Sequence, residues 1–384
     1  MCPLCAVASF VVSEFTVVLL HLLSALHDRL LERPGSSLVV TMLTRQALRD
    51  EVERRLSGSS SSSASTAPPC SNSKGKAAVR GSPLLFSANA TDSPLRLRWC
   101  NSWSDAVRIS SPPRVVYLPS LMWLAEECSV EQAERLVTLM LGEIGATLWP
   151  PASWEAMMEH KDKVYSRFNK FMLPARWVAL RAVNGDIPRL AVTLLGFCRT
   201  DGDYFLKGSY SFAKLCGQRI TVTDGRCPEL VNVLRRWVGK DHQTAIGIQP
   251  FMPGFDEFEL RTWLVADQVT GRWRSALTIK TQLSEQGAAM TTELFQPLHG
   301  EGLRIAQLVD DMLSERADFF SKLHELGLPA LRIDCGYDRD EKRAFFSEFS
   351  ACDAFMWSEV HGQDLAYVVG RAAGDRIWAQ LMKG

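Results

Sequence analysis

The chain has 384 residues, 46 % of them apolar, and its 43 basic residues are balanced by 43 acidic ones. At about one domain per 100–200 residues, that is room for two or three units with real cores. A formal charge of zero excludes the standing positive field on which nucleic-acid coats and polybasic membrane binders depend, so no nucleic-acid partner is expected.

The N-terminal 27 residues carry two apolar runs, PLCAVASFVV and FTVVLLHLLSAL, separated at Glu14. Each is too short to span about 30 Å of hydrocarbon, and no Lys or Arg precedes them as a secretory n-region requires. They read as a buried strand or helix, with a signal or membrane segment as the alternative. A cytoplasmic chain without stable membrane insertion is therefore expected. The ten cysteines are scattered, and Cys2 with Cys5 forms the one C-x-x-C. No second pair completes a zinc site, which fits free thiols in a reducing compartment. The sequon Asn89-Ala90-Thr91 would matter only in a secreted chain.

Further along, SSLVVTML predicts a strand and TRQALRDEVERRL a charged amphipathic helix. Residues 57–73 hold nine serines in seventeen positions. Such a tract cannot offset its ordering entropy, so a flexible insert is expected over 57–93. RVVYLPS then predicts a strand, Ser129 caps the helix VEQAERLVTLMLGEI, and ATLWPP predicts another strand. Strand and helix alternate as in a small parallel α/β unit, built from residues 1–56 and 94–151.

From residue 152 the pattern changes. A helix is predicted through ASWEAMMEHKDKVYSRFNKF, ending before Pro174. Strands follow at YFLKGS, QRITVT, AIGIQPF, EFELRTWLVAD, RWRSALTIKTQ, ALRIDCGYD and RAFFSEFS. Two helices interrupt them, PELVNVLRRWV and one long helix over LRIAQLVDDMLSERADFFSKLHELG. Residues 152–360 thus read as an α+β domain on antiparallel sheet, and 361–384 as a closing helix that packs on the N-terminal unit or on a partner.

Chemistry concentrates in LRIDCGYDRDEKRAFFSEFSACDAF, a β-hairpin with a charged turn centred near Glu341. Alternation puts Arg332 with Asp334 on one strand face and Glu348 with Ser350 on a face of the partner strand. Asp334 then lies opposite Glu348, and two opposed carboxylates repel unless a cation sits between them. Hard oxygens of this kind are what Mg²⁺ accepts when phosphate oxygens complete its octahedron. Upstream, Glu257, Glu259 and Arg261 share one face of a strand. Lys207 ends the strand DYFLK at the small-residue loop GSYSFAK, where a point charge and backbone N–H donors meet.

Taken in order, WPPASWEAMMEHKDK, DYFLKGSYSFAK, IGIQPFMPGFDEFELRTWLV and LRIDCGYDRDEKRAFFSEFS resemble the ATP-grasp superfamily. The resemblance covers roughly residues 145–352 and rests most on R-x-D followed by E-x-S in the closing hairpin. It implies an α+β ATP-grasp fold of antiparallel sheets with helices, preceded by a small α/β domain, and it implies ATP and Mg²⁺ as cofactors. By the same resemblance Lys163 and Lys207 contact phosphates. Gln249, Phe251 and Met252 belong to the hinge that holds adenine. Glu257 or Glu259 reaches the ribose or a metal, and Arg261 and Arg332 reach the γ-phosphate and the transferred phosphoryl group. Asp334, Glu348 and Ser350 hold Mg²⁺. Ser350 stands where the family most often has Asn, and Gln249 where it commonly has Glu. The implied activity is an ATP-dependent ligase acting on an unidentified small-molecule or protein substrate. A nucleotide-binding assembly factor and an ATP-grasp kinase are the alternatives.

Overall fold

The run VLLHLLSALHDRLL forms helix α1 over residues 18–31, and it is apolar around most of its circumference. Val18, Leu19, Leu20, Leu22, Leu23, Ala25, Leu26 and Leu30 are all buried, so α1 sits inside protein, as the sequence leads one to expect of a buried helix. A computed structural model of the chain describes residues 18–43, 50, 53, 93–100, 115–117, 147–149, 160–209, 217–238, 243–252, 258–267, 269–283, 290–295, 300–326, 328–350 and 363–382. The C-x-x-C, the sequon, most of the serine-rich tract, Glu257 and the helices expected over 44–56 and 130–144 lie essentially outside the described residues. Among the described residues no helix is long and apolar enough to cross a membrane.

The chain divides into two compact units. The first joins the described residues up to Tyr117 with those from Gln363 onward. Its strands are β1 (Leu38–Leu43), β2 (Leu95–Cys100) and β3 (Val115–Tyr117), and their sheet, ordered β2-β1-β3-β4, ends on β4 (Thr147–Trp149), whose Thr147 belongs to this unit and whose Leu148 and Trp149 belong to the second. β1 pairs in parallel with both β2 and β3, the arrangement that strand–helix alternation predicts. The strand β2, LRLRWC, which the sequence reading did not anticipate, begins two residues beyond the expected insert.

The C-terminal helix, which the sequence assigned to neither of its two candidate surfaces, packs on α1. It is α7 (Gln363–Leu381), and its contacts advance in step with α1, from Tyr367 edge-on to His21 at 5.3 Å to Trp378 beneath Arg33 at 5.7 Å. The two helices therefore run in the same direction. Gly370 and Gly374 lie one turn apart on the contact face, and each allows backbone to approach where a side chain could not. A Cβ at Gly370 would fall 2.5 Å from both His21 Cβ and Val18 O. Ion pairs Arg29–Asp375 (2.9 Å) and Arg371–Asp28 flank the seam.

The second unit holds two antiparallel sheets. Its elements begin with α2 (Lys161–Arg167), β5 (Arg176–Ala179) and α3 (Ile187–Leu195). Next come β6 (Gly202–Gly208), β7 (Gly217–Val222), α4 (Leu230–Val238) and β8 (Ala245–Pro250). The sheet β5-β8-β6-β7 is covered by α3 and α4, whose Leu190, Leu194, Leu230, Val233 and Leu234 share a core with Leu206, Ile220, Ile246 and Ile248. The other sheet contains β9 (Glu259–Ala266), β10 (Trp273–Leu283), β11 (Met290–Leu294), β12 (Ala330–Asp338) and β13 (Arg343–Ser350), ordered β11-β10-β9-β12-β13.

Two helical expectations need correction. The long helix expected near 303–327 is two helices, α5 (Gly300–Glu315) and α6 (Ala317–Glu325), broken at Arg316, whose φ of −117° and ψ of 28° are not helical. The break turns Phe319, Phe320 and Leu323 into the core, a course that one straight helix could not follow. The helix expected to run to Phe171 stops at Arg167. Beyond it Phe171 and Leu173 exchange backbone hydrogen bonds with Phe346 of β13 (2.8 and 3.1 Å), so this segment extends the sheet edge instead of the helix.

Candidate functional site

The hairpin forms in the register that alternation predicts. Arg332 pairs with Ser350 and Asp334 with Glu348, while on the other side of β12 Asp334 pairs with Arg261 of β9. Asp338 closes the turn by accepting the backbone N–H groups of Asp340 and Glu341 at 3.0 and 3.1 Å. Arg332, Asp334, Glu348, Ser350, Glu259 and Arg261 therefore share one sheet face. The opposite-face residues Leu260, Ile333, Cys335 and Phe346 are wholly buried.

A β-bulge interrupts the pairing. Asp334 pairs with Glu348 but Cys335 with Phe346, which leaves Ser347 as the extra residue of β13. Ser347 is buried, its hydroxyl donates to Asp334 O at 3.1 Å, and its carbonyl is turned toward the other sheet. There it accepts from Tyr165 Oη at 3.1 Å and from Lys207 Nζ at 3.3 Å. The one phenolic proton is shared with Gln249 Oε1 at 2.9 Å, and Tyr165 Oη accepts from Lys207 Nζ at 3.0 Å. One phenol thus joins α2, β6, β8 and β13. Behind it Gly247 leaves room for the Trp177 indole, which any Cβ would meet at 2.8 Å, and Trp177 backs the Tyr165 ring edge-on at 5.5 Å.

Charges on this face are paired. Arg332 donates to Asp334 Oδ2 and to Ser350 Oγ, both at 3.0 Å, and its Nε lies 2.8 Å from Asp334 Oδ1 at an angle outside hydrogen-bond geometry. Arg261 grips Glu259 Oε2 through Nη2 (2.9 Å) and Nε (3.2 Å). Lys161 Nζ lies 2.9 Å from Glu348 Oε1. Burial pushes the Asp334 carboxyl up to about 6, and Arg332 and Arg261 only partly oppose it. Burial also works against the Glu348 charge, but the Lys161 ammonium, with Lys207 and Arg332 behind it, outweighs burial and holds this carboxyl below its usual range. Burial draws Lys207 down against the pull of Glu348, Glu259 and Asp334.

The structure brings together Lys207, Gln249, Glu259, Arg261, Arg332, Asp334, Glu348 and Ser350. Phe251 and Met252 continue from β8; Phe251 lies under the Arg219 guanidinium at 4.2 Å, and Met252 borders a small cleft with Phe258, Tyr337 and Phe345. Lys163 is exposed on the other side of α2, and the ammonium that enters the face is that of Lys161. Sequence reasoning missed Lys161, Tyr165 and Ser347. A signal for the first two existed, because Lys161, Val164, Tyr165 and Phe168 follow helical spacing on one face and Lys161 is the charge on that apolar stripe.

A search against family models finds no match, and neither does a sequence comparison with curated proteins. The fold does match solved structures. D-cycloserine synthetase DcsG superposes with a TM-score of 0.53 at 13 % identity, over 88 % of this chain and 99 % of that one. D-alanine–D-alanine ligase from Bacillus anthracis complexed with ATP gives 0.51 at 10 % identity, over 90 % and 99 % of the two chains. D-alanyl-alanine synthetase A from Vibrio cholerae gives 0.51 at 10 % identity, over 89 % and 98 %. The chain has the ATP-grasp fold. Likeness spans nearly the whole of each ATP-grasp neighbour, so both units of this chain take part in it.

Magnesium fits the donors present on this ATP-grasp face. Buried Asp334 Oδ1 makes no hydrogen bond, the Glu348 carboxylate lies opposite it, and the Ser350 hydroxyl adds a third hard oxygen. Among the described residues no three His, Cys, Asp or Glu side chains gather into a cage. Two carboxylates with the remaining positions left to phosphate and water is the Mg²⁺ pattern. A protonated Asp334 cannot ligate a metal, and its proton is held up to about pH 6. The apparent affinity for Mg²⁺ with nucleotide should thus be flat above that pH and fall about 10-fold per unit below it, checked by calorimetry between pH 5 and 8.

A second expectation concerns the phenol. Tyr165→Phe removes the phenol donor from the buried Gln249 Oε1 and leaves Ser347 O with Lys207 Nζ, which should cost about 1–3 kcal/mol in urea unfolding. A change under about 0.5 kcal/mol would show that water replaces the hydroxyl.

Proposed function

We propose that the chain is an ATP- and Mg²⁺-dependent ligase that activates a carboxylate and joins it to an amine or a similar nucleophile. The observation that carries this reading is the opposed pair Asp334 and Glu348, set among Lys161, Lys207, Arg261 and Arg332 on one sheet face. Of the three similar structures two are synthetases and one is a ligase complexed with ATP, and this supports the same class of chemistry.

Phosphoryl transfer is mainly positioning and charge neutralisation, so cations around the phosphates do most of what a protein can do. In this reading Lys161, Lys207, Arg261 and Arg332 bind phosphate oxygens. Gln249, whose carbonyl oxygen is taken by Tyr165, presents its amide to adenine beside the backbone of Phe251 and Met252. Glu257 or Glu259 serves the ribose or a metal. Asp334, Glu348 and Ser350 would hold Mg²⁺, which when bound draws charge from the phosphate oxygens. A substrate carboxylate oxygen attacks the γ-phosphorus, the bond to the β-phosphate oxygen breaks, and ADP leaves. The nucleophile then attacks the acyl carbon, inorganic phosphate departs, and the nucleophile gives up its proton.

Phosphate and ADP released in equal amounts, only when carboxylate and amine are both supplied, is the expected result with amino-acid pairs as first substrates. ADP without inorganic phosphate would mark a kinase. Nucleotide binding without ADP release on any pair would sink the ligase reading and favour an assembly factor.

A further inference from the structure

We propose that Lys161 is a resident counter-ion at Glu348, holding the place of the metal so that a divalent cation and a triphosphate enter this site only together. The proposal rests on the nucleotide-site reading above and deepens it. Its basis is the pairing of charges. Lys161 Nζ sits 2.9 Å from Glu348 Oε1, and the lysine side chain is only 11 % exposed. Arg332 spans Asp334 and Arg261 grips Glu259. Among the described residues of the face, each of three carboxylates thus has its own cation, and Lys207 adds a fourth cation directed at Tyr165 Oη and Ser347 O.

A metal ion arriving alone must displace Lys161 from Glu348, and Arg332 from Asp334. Two freed cations would then face a dication in a cleft of low dielectric, where an unpaired charge is costly. A triphosphate arriving alone would set its oxygens beside three carboxylates. Arriving together they solve both problems. The metal takes the carboxylates, and the released ammonium and guanidinium turn to phosphate oxygens, so no charge is left buried without a partner. Lys161 suits this exchange. Its backbone is fixed at the first residue of α2 by a hydrogen bond from its N–H to Ser209 O (2.9 Å), while a four-carbon stem lets the ammonium swing. An arginine locked in a two-pronged grip would resist that movement.

The test is thermal unfolding and calorimetry of wild type, Lys161→Gln and Lys161→Arg. The ligands are MgCl₂ alone, a non-hydrolysable ATP analogue with chelator, and the two together. Wild type should respond to the pair and show no stabilisation by MgCl₂ alone at concentrations that saturate the pair. Lys161→Gln should bind MgCl₂ alone about 10-fold more tightly than wild type, whereas Lys161→Arg should still exclude MgCl₂ alone but respond more weakly than wild type to the pair. Equal binding of MgCl₂ alone by wild type and Lys161→Gln overturns the proposal. So does stabilisation of wild type by MgCl₂ alone equal to that by the pair, an outcome that needs no folded variant. Wild type that ignores even the pair overturns the nucleotide-site reading, and this proposal falls with it.

Discussion

Glu348→Gln should leave the chain folded and remove most of the Mg²⁺-dependent stabilisation by ATP. A ligand that binds only the native state at about 100 times its Kd adds about 2.7 kcal/mol. For a unit of this size that is roughly 5–10 °C in Tm. Gln has the same shape as Glu and its amide oxygen can still accept from Lys161, so packing at β13 is kept. What disappears is the negative charge that lies 2.9 Å from Lys161 and opposite Asp334. A neutral amide is a poor partner for a hard dication, and Asp334 alone is a weak site. The measurement is a thermal-shift titration with ATP, with and without Mg²⁺. A variant that keeps the full Mg²⁺-dependent shift would remove Glu348 from the metal site.

Gly370→Leu should be the most damaging single change in the first unit. Even a bare Cβ at this position falls 2.5 Å from Val18 O and His21 Cβ, and 3.0 Å from Leu22 N. Two of those three atoms belong to the backbone of α1, which cannot yield as the end of a flexible side chain would. The helices must therefore separate, exposing the apolar surface of Leu19, Leu22 and Leu26 that they now cover. A loss of about 3 kcal/mol or more in urea unfolding is expected. Val368→Ala, on a half-exposed residue of the same helix, should stay within about 0.5 kcal/mol. Equal effects from the two changes would mean that α7 does not pack on α1 as described.

The candidate face was readable because a strand has a period of two. Once the turn was placed near Glu341, alternation fixed Arg332, Asp334, Glu348 and Ser350 on one side, and the register pairs them as expected. Arg261 followed from its strand in the same way and Lys207 from its place at a strand end, whereas Gln249 came from the resemblance to the ATP-grasp superfamily alone. Lys161 was harder. Helical spacing puts it on the stripe of Val164, Tyr165 and Phe168, but the resemblance pointed to the neighbouring Lys163 of the KDK run. The break at Arg316 escaped notice because no Gly or Pro marks it; only the demand to bury Phe319 and Phe320 together with Phe168 forces it, and that demand is tertiary. β2, β5 and α3 were missed for a related reason. They are short, and their burial comes from neighbours distant in sequence.

The extra residue at Ser347 sets the phase of β13. Residues on either side of it are displaced by one step, so Phe345 and Glu348, three positions apart, look out of the same side of the sheet. An unbroken strand would need an even spacing to do that. Losing a single residue at this point would keep the hairpin, its turn and its composition, yet it would rotate everything beyond Phe346 by half a period. Glu348 and Ser350 would then point at the core helices, while Phe349 would take the place of a carboxylate. Homologous chains should accordingly vary in turn length around Glu341 far more freely than in the count of residues between Phe346 and Glu348.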